Sequence, residues 1–298
     1  MRAWLRMKQW TVIAAVSVAG ACIAAPAAQA GAARSAAAES RIVPIAATRP
    51  APLVTNPDVA VGGKRGLPAP AMSPDMVMAN AVRQAGTLRL LRRRDRRHPD
   101  AVNCGNVACR AGLPATKDLL GTQQPQLRNY FCGPATVSEM LAQMGVKLNQ
   151  WAAAKELGTT QNGTDWSDAS GYPVPRVLNE NQHMTQYVAV ALPWSPSTRQ
   201  LRTFEADLVT DINKGAGVPL AGNAYEVAGG PHLVGNPVNQ TIMHWIDIRG
   251  YSDGGKVTNY EDSVHDASSI GWAAGVPAYS SLASSTMVNI LGARGYDW

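Results

Sequence analysis

The stretch Gln126-Leu-Arg-Asn-Tyr-Phe-Cys132-Gly-Pro-Ala-Thr-Val-Ser-Glu-Met-Leu-Ala-Gln-Met-Gly145 constrains this chain more than any other. Pro134 suits the first turn of a helix, where its fixed φ fits and its missing N–H would be unpaired in any case. Val137, Met140, Leu141 and Met144 recur at the spacing of one buried helix face, and Gly145 is placed to close it in a left-handed cap. Cys132 therefore opens a helix, where the dipole and free amides favour an anion. A thiolate there has a lowered pKa, and the thiolate is the nucleophilic form. Gln126, six residues upstream, can add its side-chain amide to the Cys132 backbone N–H in holding an oxyanion. The plain alternative is a buried structural cysteine beside a surface glutamine, and the stretch alone divides evenly between the two.

A nucleophilic cysteine needs a base within hydrogen-bond reach and a group to orient that base. Five histidines are available: His98, His183, His232, His244 and His265. His98 belongs to a basic run and His183 to a polar one. His232, after Gly-Gly-Pro, sits in a loop with nothing nearby to orient it. His244 lies within Ile242-Met-His244-Trp-Ile246-Asp-Ile248, so as a strand residue it shares a face with three isoleucines. Strands over Ile242–Tyr251 and Lys256–Asp262 flank Ser252-Asp-Gly-Gly255, a turn by composition. A three-residue turn over 252–254 sets Asp262 directly opposite His244. A three-residue turn over 253–255 sets Val264 opposite and makes Asp262 the diagonal neighbour on the same face. Either register lets a carboxylate fix the imidazole tautomer, whereas a two-residue turn would send Asp262 to the other face, so an odd-length turn is expected. Asp253 lies about 30 Å of extended strand from His244 at ~3.3 Å per residue, and Asp247 points to the opposite face. His232, His244 and His265 lack any i, i+4 or HExxH-type spacing, so neither a metal nor a cofactor is expected.

Gln126…Cys132-Gly-Pro-Ala, then His244-Trp-Ile-Asp-Ile-Arg-Gly-Tyr, then Tyr260-Glu-Asp262-Ser, resembles the bacteriocin-processing (double-glycine) cysteine peptidase family and its secreted bacterial relatives. The resemblance covers about residues 120–265. It implies an α+β, papain-like fold, with a helical lobe carrying the cysteine packed on an antiparallel sheet carrying His and Asp. It also implies Gln126 as oxyanion donor, Cys132 as nucleophile, His244 as base and Asp262 as orienter. Two features depart from that pattern: Ser263 follows Asp262 where the family usually has Pro, and transporter segments are lacking. Cleavage of double-glycine leaders is therefore not carried over.

The remainder of the chain frames this core. Residues 1–30 carry Arg2, Arg6 and Lys8, an apolar run from Val12 to Ala25 and Ala28-Gln29-Ala30, the pattern of a signal peptide. The run is too short for a membrane span, and Cys22 offers only a faint lipoprotein alternative. Residues 31–100, rich in Ala, Pro and Arg, are expected to be a disordered linker or pro-region ending in the basic run Arg89–His98. That run is most simply a solvated charge cluster; a processing site or a polyanion-binding arm are the functional readings. Residues 1–100 hold 15 of the 27 Lys and Arg and 5 of the 21 Asp and Glu, which leaves residues 101–298 with 12 basic and 16 acidic. The high pI of about 9.3 belongs to the leader, and the domain at 101–298 has no basic surface that would call for nucleic acid. Cys104 and Cys109 are expected to close a small disulfide loop in an oxidising compartment, leaving Cys132 as the odd thiol.

Helices are expected at Trp151–Leu157, Pro175–Asn179, Ser197 to Gly215 and Ser281–Leu291, and strands at Tyr187–Leu192 and Val218–Val227. The expectation is a secreted, monomeric cysteine peptidase or amidase acting on peptide or protein substrates. A catalytically inactive module of the same fold, binding peptide or cell-wall ligands, is the alternative.

Overall fold

The computed structural model describes residues 70–98 and 104–298. The expected signal segment and most of the linker lie outside the described residues. Among the described residues the architecture is α+β: seven antiparallel strands in one sheet with helices on both faces. The strand order is β2 (Ala189–Ala191), β7 (Gly295–Asp297), β3 (Leu220–Glu226), β4 (Ile242–Ser252), β5 (Val257–Glu261) and β6 (Tyr279–Ala283). A two-residue strand β1 (Lys117–Asp118) adds to β4 at Gly250 and Tyr251.

Strand periodicity divides the core. Ile246 and Ile248 of β4 point into a cluster with Phe204, Leu208 and Ile212 of α6 (Thr198–Ile212) and Met287 of α7 (Ser284–Ile290). Trp245, the residue before Ile246, points the other way, into a cluster with α3 (Cys132–Gln143), α4 (Gln150–Leu157) and α5 (Pro173–Asn181). Local signals place these helices. Asn149 caps α4 by accepting from the Ala152 N–H at 3.0 Å, and Gly158 ends it at φ 67°. Ser197 and Gln200 form a capping box at the start of α6.

Two expectations are corrected. Residues 74–95, taken as part of a disordered segment, form a helix of 22 residues, α1 (Pro74–Asp95), whose Ser73 side chain accepts from the Met76 N–H. Its partners lie in the distant domain. Arg83 pairs with Asp211 and stacks 4.4 Å from the Trp298 ring, the Trp298 indole N–H donates to Asn80 at 3.1 Å, and Met76 and Leu91 pack on the larger core. Composition judged the segment alone, and here its ordering is supported by surface supplied from elsewhere. The folded unit thus begins before residue 101.

The helix expected from Ser281 begins instead at Ser284, because Tyr279–Ala283 pair with β5 from Glu261↔Tyr279 to Val257↔Ala283. The open edge of β5 decides the state of a polar stretch whose own propensity is weak. No helix among the described residues is long and apolar enough to cross a membrane. Cys104 and Cys109, the latter in the short helix α2 (Val107–Arg110), are joined as a disulfide, and among the described residues Cys132 is the free cysteine.

Candidate active site

Cys132 is the first residue of α3, and Phe131 before it offers no capping side chain, so the first-turn amides are left to other acceptors. The thiol is buried, and the imidazole of His244 hydrogen-bonds to it. Backbone N–H groups of Trp245 and Gly133 also donate to the sulfur. Burial alone would raise the Cys132 pKa; the His244 hydrogen bond and charge, with these two amides, outweigh it and lower the thiol. Gly133 is needed for close packing, since a Cβ there would overlap the Thr164 hydroxyl.

His244 Nε2 donates to Asp262 Oδ1 at 2.9 Å, both side chains being almost wholly buried. Nδ1 is then the ring nitrogen left for Cys132. Burial works against the imidazolium, yet the Asp262 carboxylate and the Cys132 sulfur raise the His244 pKa well above its ordinary value. The electrostatics therefore favour a thiolate–imidazolium pair. Asp262 is itself fixed, because Oδ1 also accepts from the Val264 N–H at 2.9 Å.

The hairpin reaches this arrangement by a route the sequence reading did not contain. Ser252 pairs with Val257, so the connection is the four residues 253–256 and not an odd-length turn. A four-residue connection by itself would put Asp262 on the wrong face. The register then shifts by one between Ile248 and Gly250, where Arg249 bulges out, and Asp247 pairs with Glu261. Continuing that register puts Asp262 opposite Ile246, diagonal to His244 on the same face. The geometry is that of the 253–255 turn, with a bulge correcting the parity. Asp253 adopts φ 44° at the turn, far from the imidazole, and Asp247 faces away from it.

Gln126 is also brought to the site. Its backbone N–H donates to Ser263 O at 2.8 Å, its Oε1 accepts from the Ser263 hydroxyl at 3.2 Å, and its Nε2 donates to Arg128 O at 2.8 Å. The side chain is buried, and one N–H of Nε2 is left over from the Arg128 contact. The departure at Ser263 thus has a structural use: it ties the Asp262 segment to the Gln126 amide. His232 is held by Gly230 O and Gln240 O, and His265 Nδ1 lies against Val276 O, so neither joins the group around Cys132.

Sequence reasoning missed a second cluster beneath these residues. Glu139 of α3, Asp247 of β4 and Glu261 of β5 are fully buried with one oxygen each within 4.8 Å of the others. These are the residues that could hold a cation, but protein donors already converge on them. Thr122 donates to Glu261, Gln124 N–H to Glu139 at 2.7 Å, and Gln143 Nε2 to Asp247 at 2.7 Å. Burial, then the Glu261 charge, raises Glu139 and Asp247 well above the ordinary carboxyl value, which favours their protonated forms. Each acid sits on or next to an element bearing Cys132, His244 or Asp262. Its only sequence signal is a charged residue at a core-facing position.

The model of the family described as "Peptidase_C39 like family" matches residues 121–279, more than half of the chain. No curated protein matches it. Among solved structures, a protein described as a C39-like peptidase from Bacillus anthracis is similar at 13% identity and TM-score 0.38, over 61% of this chain and 96% of its own. Xylellain, a cysteine protease from Xylella fastidiosa, is similar at 12% identity and TM-score 0.33, over 62% of this chain and 85% of its own.

Proposed function

Since this chain belongs to the Peptidase_C39 like family, we propose that it is a secreted cysteine peptidase that cleaves peptide bonds through an acyl-enzyme on Cys132. The observation that carries this reading is the buried chain of contacts from Cys132 through His244 to Asp262, with the 2.9 Å Nε2–Oδ1 bond at its end. The Cys132 thiolate attacks the scissile carbonyl carbon. The oxyanion accepts from the Cys132 backbone N–H and the remaining Gln126 Nε2 N–H. His244, as imidazolium, gives its proton to the departing amine, and the C–N bond breaks. The neutral imidazole then takes a proton from water, whose oxygen attacks the thioester and releases the acid and the free thiolate. Asp262 holds the ring so that one nitrogen faces sulfur throughout. Secretion is supported by the charged, apolar and small-residue pattern of residues 1–30. A monomer working on peptide or protein substrates completes the reading.

The test is hydrolysis of a peptide library by the native protein and by Cys132→Ala. Cleavage lost in the variant, together with a single adduct on Cys132 from a thiol-directed peptidyl electrophile, supports the assignment. Full turnover by Cys132→Ala removes Cys132 as the nucleophile, and no cleavage by the native protein leaves a binding module of the same fold.

A further inference from the structure

The outward face of α1 is unused by the site. Its inward residues Met76, Asn80, Arg83, Thr87 and Leu91 meet the domain, as described above. At 100° per residue the opposite face is the stripe Met78, Val82, Ala85, Arg89, Arg92 and Arg96. That stripe changes character halfway. Its first half is apolar and exposed, with Met78 66% and Val82 62% accessible, flanked by Val77 at 52% and Leu88 at 50%. The second half is a block of exposed arginines, Arg89, Arg92, Arg93, Arg96 and Arg97. Residues 70–98 hold seven Arg and two Asp, whereas the domain at 101–298 has more acidic than basic residues. The net positive charge of the described chain is therefore concentrated in residues 70–98, whose helix is about 33 Å long.

A groove of about 730 Å³ runs along the flank of α1 and extends the apolar surface. Val82 and Leu90 of the helix border it, Leu113 and Val188 face them from the domain, and Arg94 and Lys214 lie on its margin. Exposed apolar side chains over the first half of the face, followed by arginines over the second, match two layers at once: an acyl region and an anionic headgroup layer. A soluble polyanion would satisfy the arginines and leave Met78, Val82 and Leu88 in water.

We propose that the outward face of α1 is a docking surface for an anionic lipid bilayer, on which the protein lies without spanning it. The helix rests in the interface with Val77, Met78, Val82 and Leu88 toward the acyl chains. Arg89, Arg92, Arg93 and Arg96 pair with phosphate groups, and the domain stays on the aqueous side. This surface is separate from the Cys132 site, so its test does not depend on peptidase activity.

The experiment is co-sedimentation of the full chain with vesicles of phosphatidylcholine alone, or with about a third phosphatidylglycerol, at low and high salt. Two variants are compared: Met78→Ser with Val82→Ser, and Arg89→Gln with Arg92→Gln, Arg93→Gln and Arg96→Gln. All six positions are exposed, and thermal melts check that the fold is kept. Residues 1–69 are common to the three proteins, so whatever they contribute cancels in the comparison. Binding to the anionic vesicles that weakens with salt, and by at least about tenfold in each variant, is the expected result. Vesicle binding unchanged in either variant overturns it. So does tight binding to inorganic polyphosphate that the Met78 and Val82 changes leave intact while vesicles are ignored, which makes the run a polyanion arm. Dimers abolished by the Met78 and Val82 changes, with no vesicle binding, overturn it in favour of contact between copies.

Discussion

At the scale of single residues, the site depends on which carboxylate holds His244. Asp262→Asn keeps an acceptor oxygen for the Nε2–H, so the fold should survive and turnover should fall by about tenfold, roughly 1.4 kcal/mol. Asp253→Asn at the turn and Asp247→Asn on the far face should leave the rate almost unchanged; burial and the Glu261 charge favour the protonated form of Asp247, which an amide imitates. A silent Asp262→Asn beside a damaging Asp253→Asn would show the hairpin register to be wrong. Ser263→Ala frees the Gln126 amide to rotate. On the role proposed for that amide at the oxyanion, kcat should drop with KM little changed, and steady-state kinetics separates the two. The lowered Cys132 pKa sets a pH signature. A neutral alkylating reagent should modify Cys132 well below the pH where free thiols react, and His244→Gln should move that reactivity up toward the ordinary range. Equal alkylation profiles in the two proteins would remove the ion pair from the account.

At the scale of elements, the bulge at Arg249 puts Asp262 on the side of the sheet where His244 points. β1 braces that bulge: Leu119 N–H donates to Arg249 O at 2.9 Å, and the Arg249 guanidinium reaches back to Leu119 O and lies 4.9 Å from the Tyr279 ring. Gly250 is the residue that lets β1 approach, since a Cβ there would overlap the Asp118 carboxylate and the Lys117 carbonyl. Gly250→Ala should cost about 1–3 kcal/mol through overpacking. It should also lower turnover more than stability alone explains, because displacing β1 loosens the bulge. A denaturant melt with a kinetic assay on the folded fraction decides; normal activity per folded molecule would mean that the register is held elsewhere.

At the scale of the whole molecule, α1 is a strap across the face of the domain away from α3. It meets Asp211 of α6, whose burial pushes its carboxyl from 3.8 to about 6 even with Arg83 beside it. A carboxyl raised in the native state stabilises most when protonated. Its contribution is complete below about pH 3.8 and is lost as pH rises through about 6, a change of roughly 3 kcal/mol. Asp211→Asn should remove that part of the pH dependence, read from denaturant melts at several pH values; an unchanged slope would refute the assignment. A chain cut to begin at residue 100 loses Arg83 and uncovers the Trp298 ring. It should therefore unfold more easily than the native protein, contrary to the expectation of a domain complete from residue 101.

Much of the candidate site is legible in the sequence. Cys132 before Gly-Pro and an apolar helical stripe, and His244 in an alternating strand, are local patterns, and local patterns are set by backbone periodicity and capping chemistry. Gln126 and Asp262 were reachable because a short spacer and a hairpin restrict where they can go. The parity of the hairpin was not legible, because a four-residue turn and a bulge cancel and neither has a signature in Ser252-Asp-Gly-Gly-Lys. Nor was α1, whose order comes from Asp211 and Trp298, more than a hundred residues away. The buried trio Glu139, Asp247 and Glu261 escaped for the same reason. Their charges look like surface until three elements close over them, and it is burial first that raises the Glu139 and Asp247 carboxyls. Local sequence specifies most elements; the order of α1, the strand state of Tyr279–Ala283 and which faces and carboxylates meet depend on desolvation and register, and those exist only once the sheet is assembled.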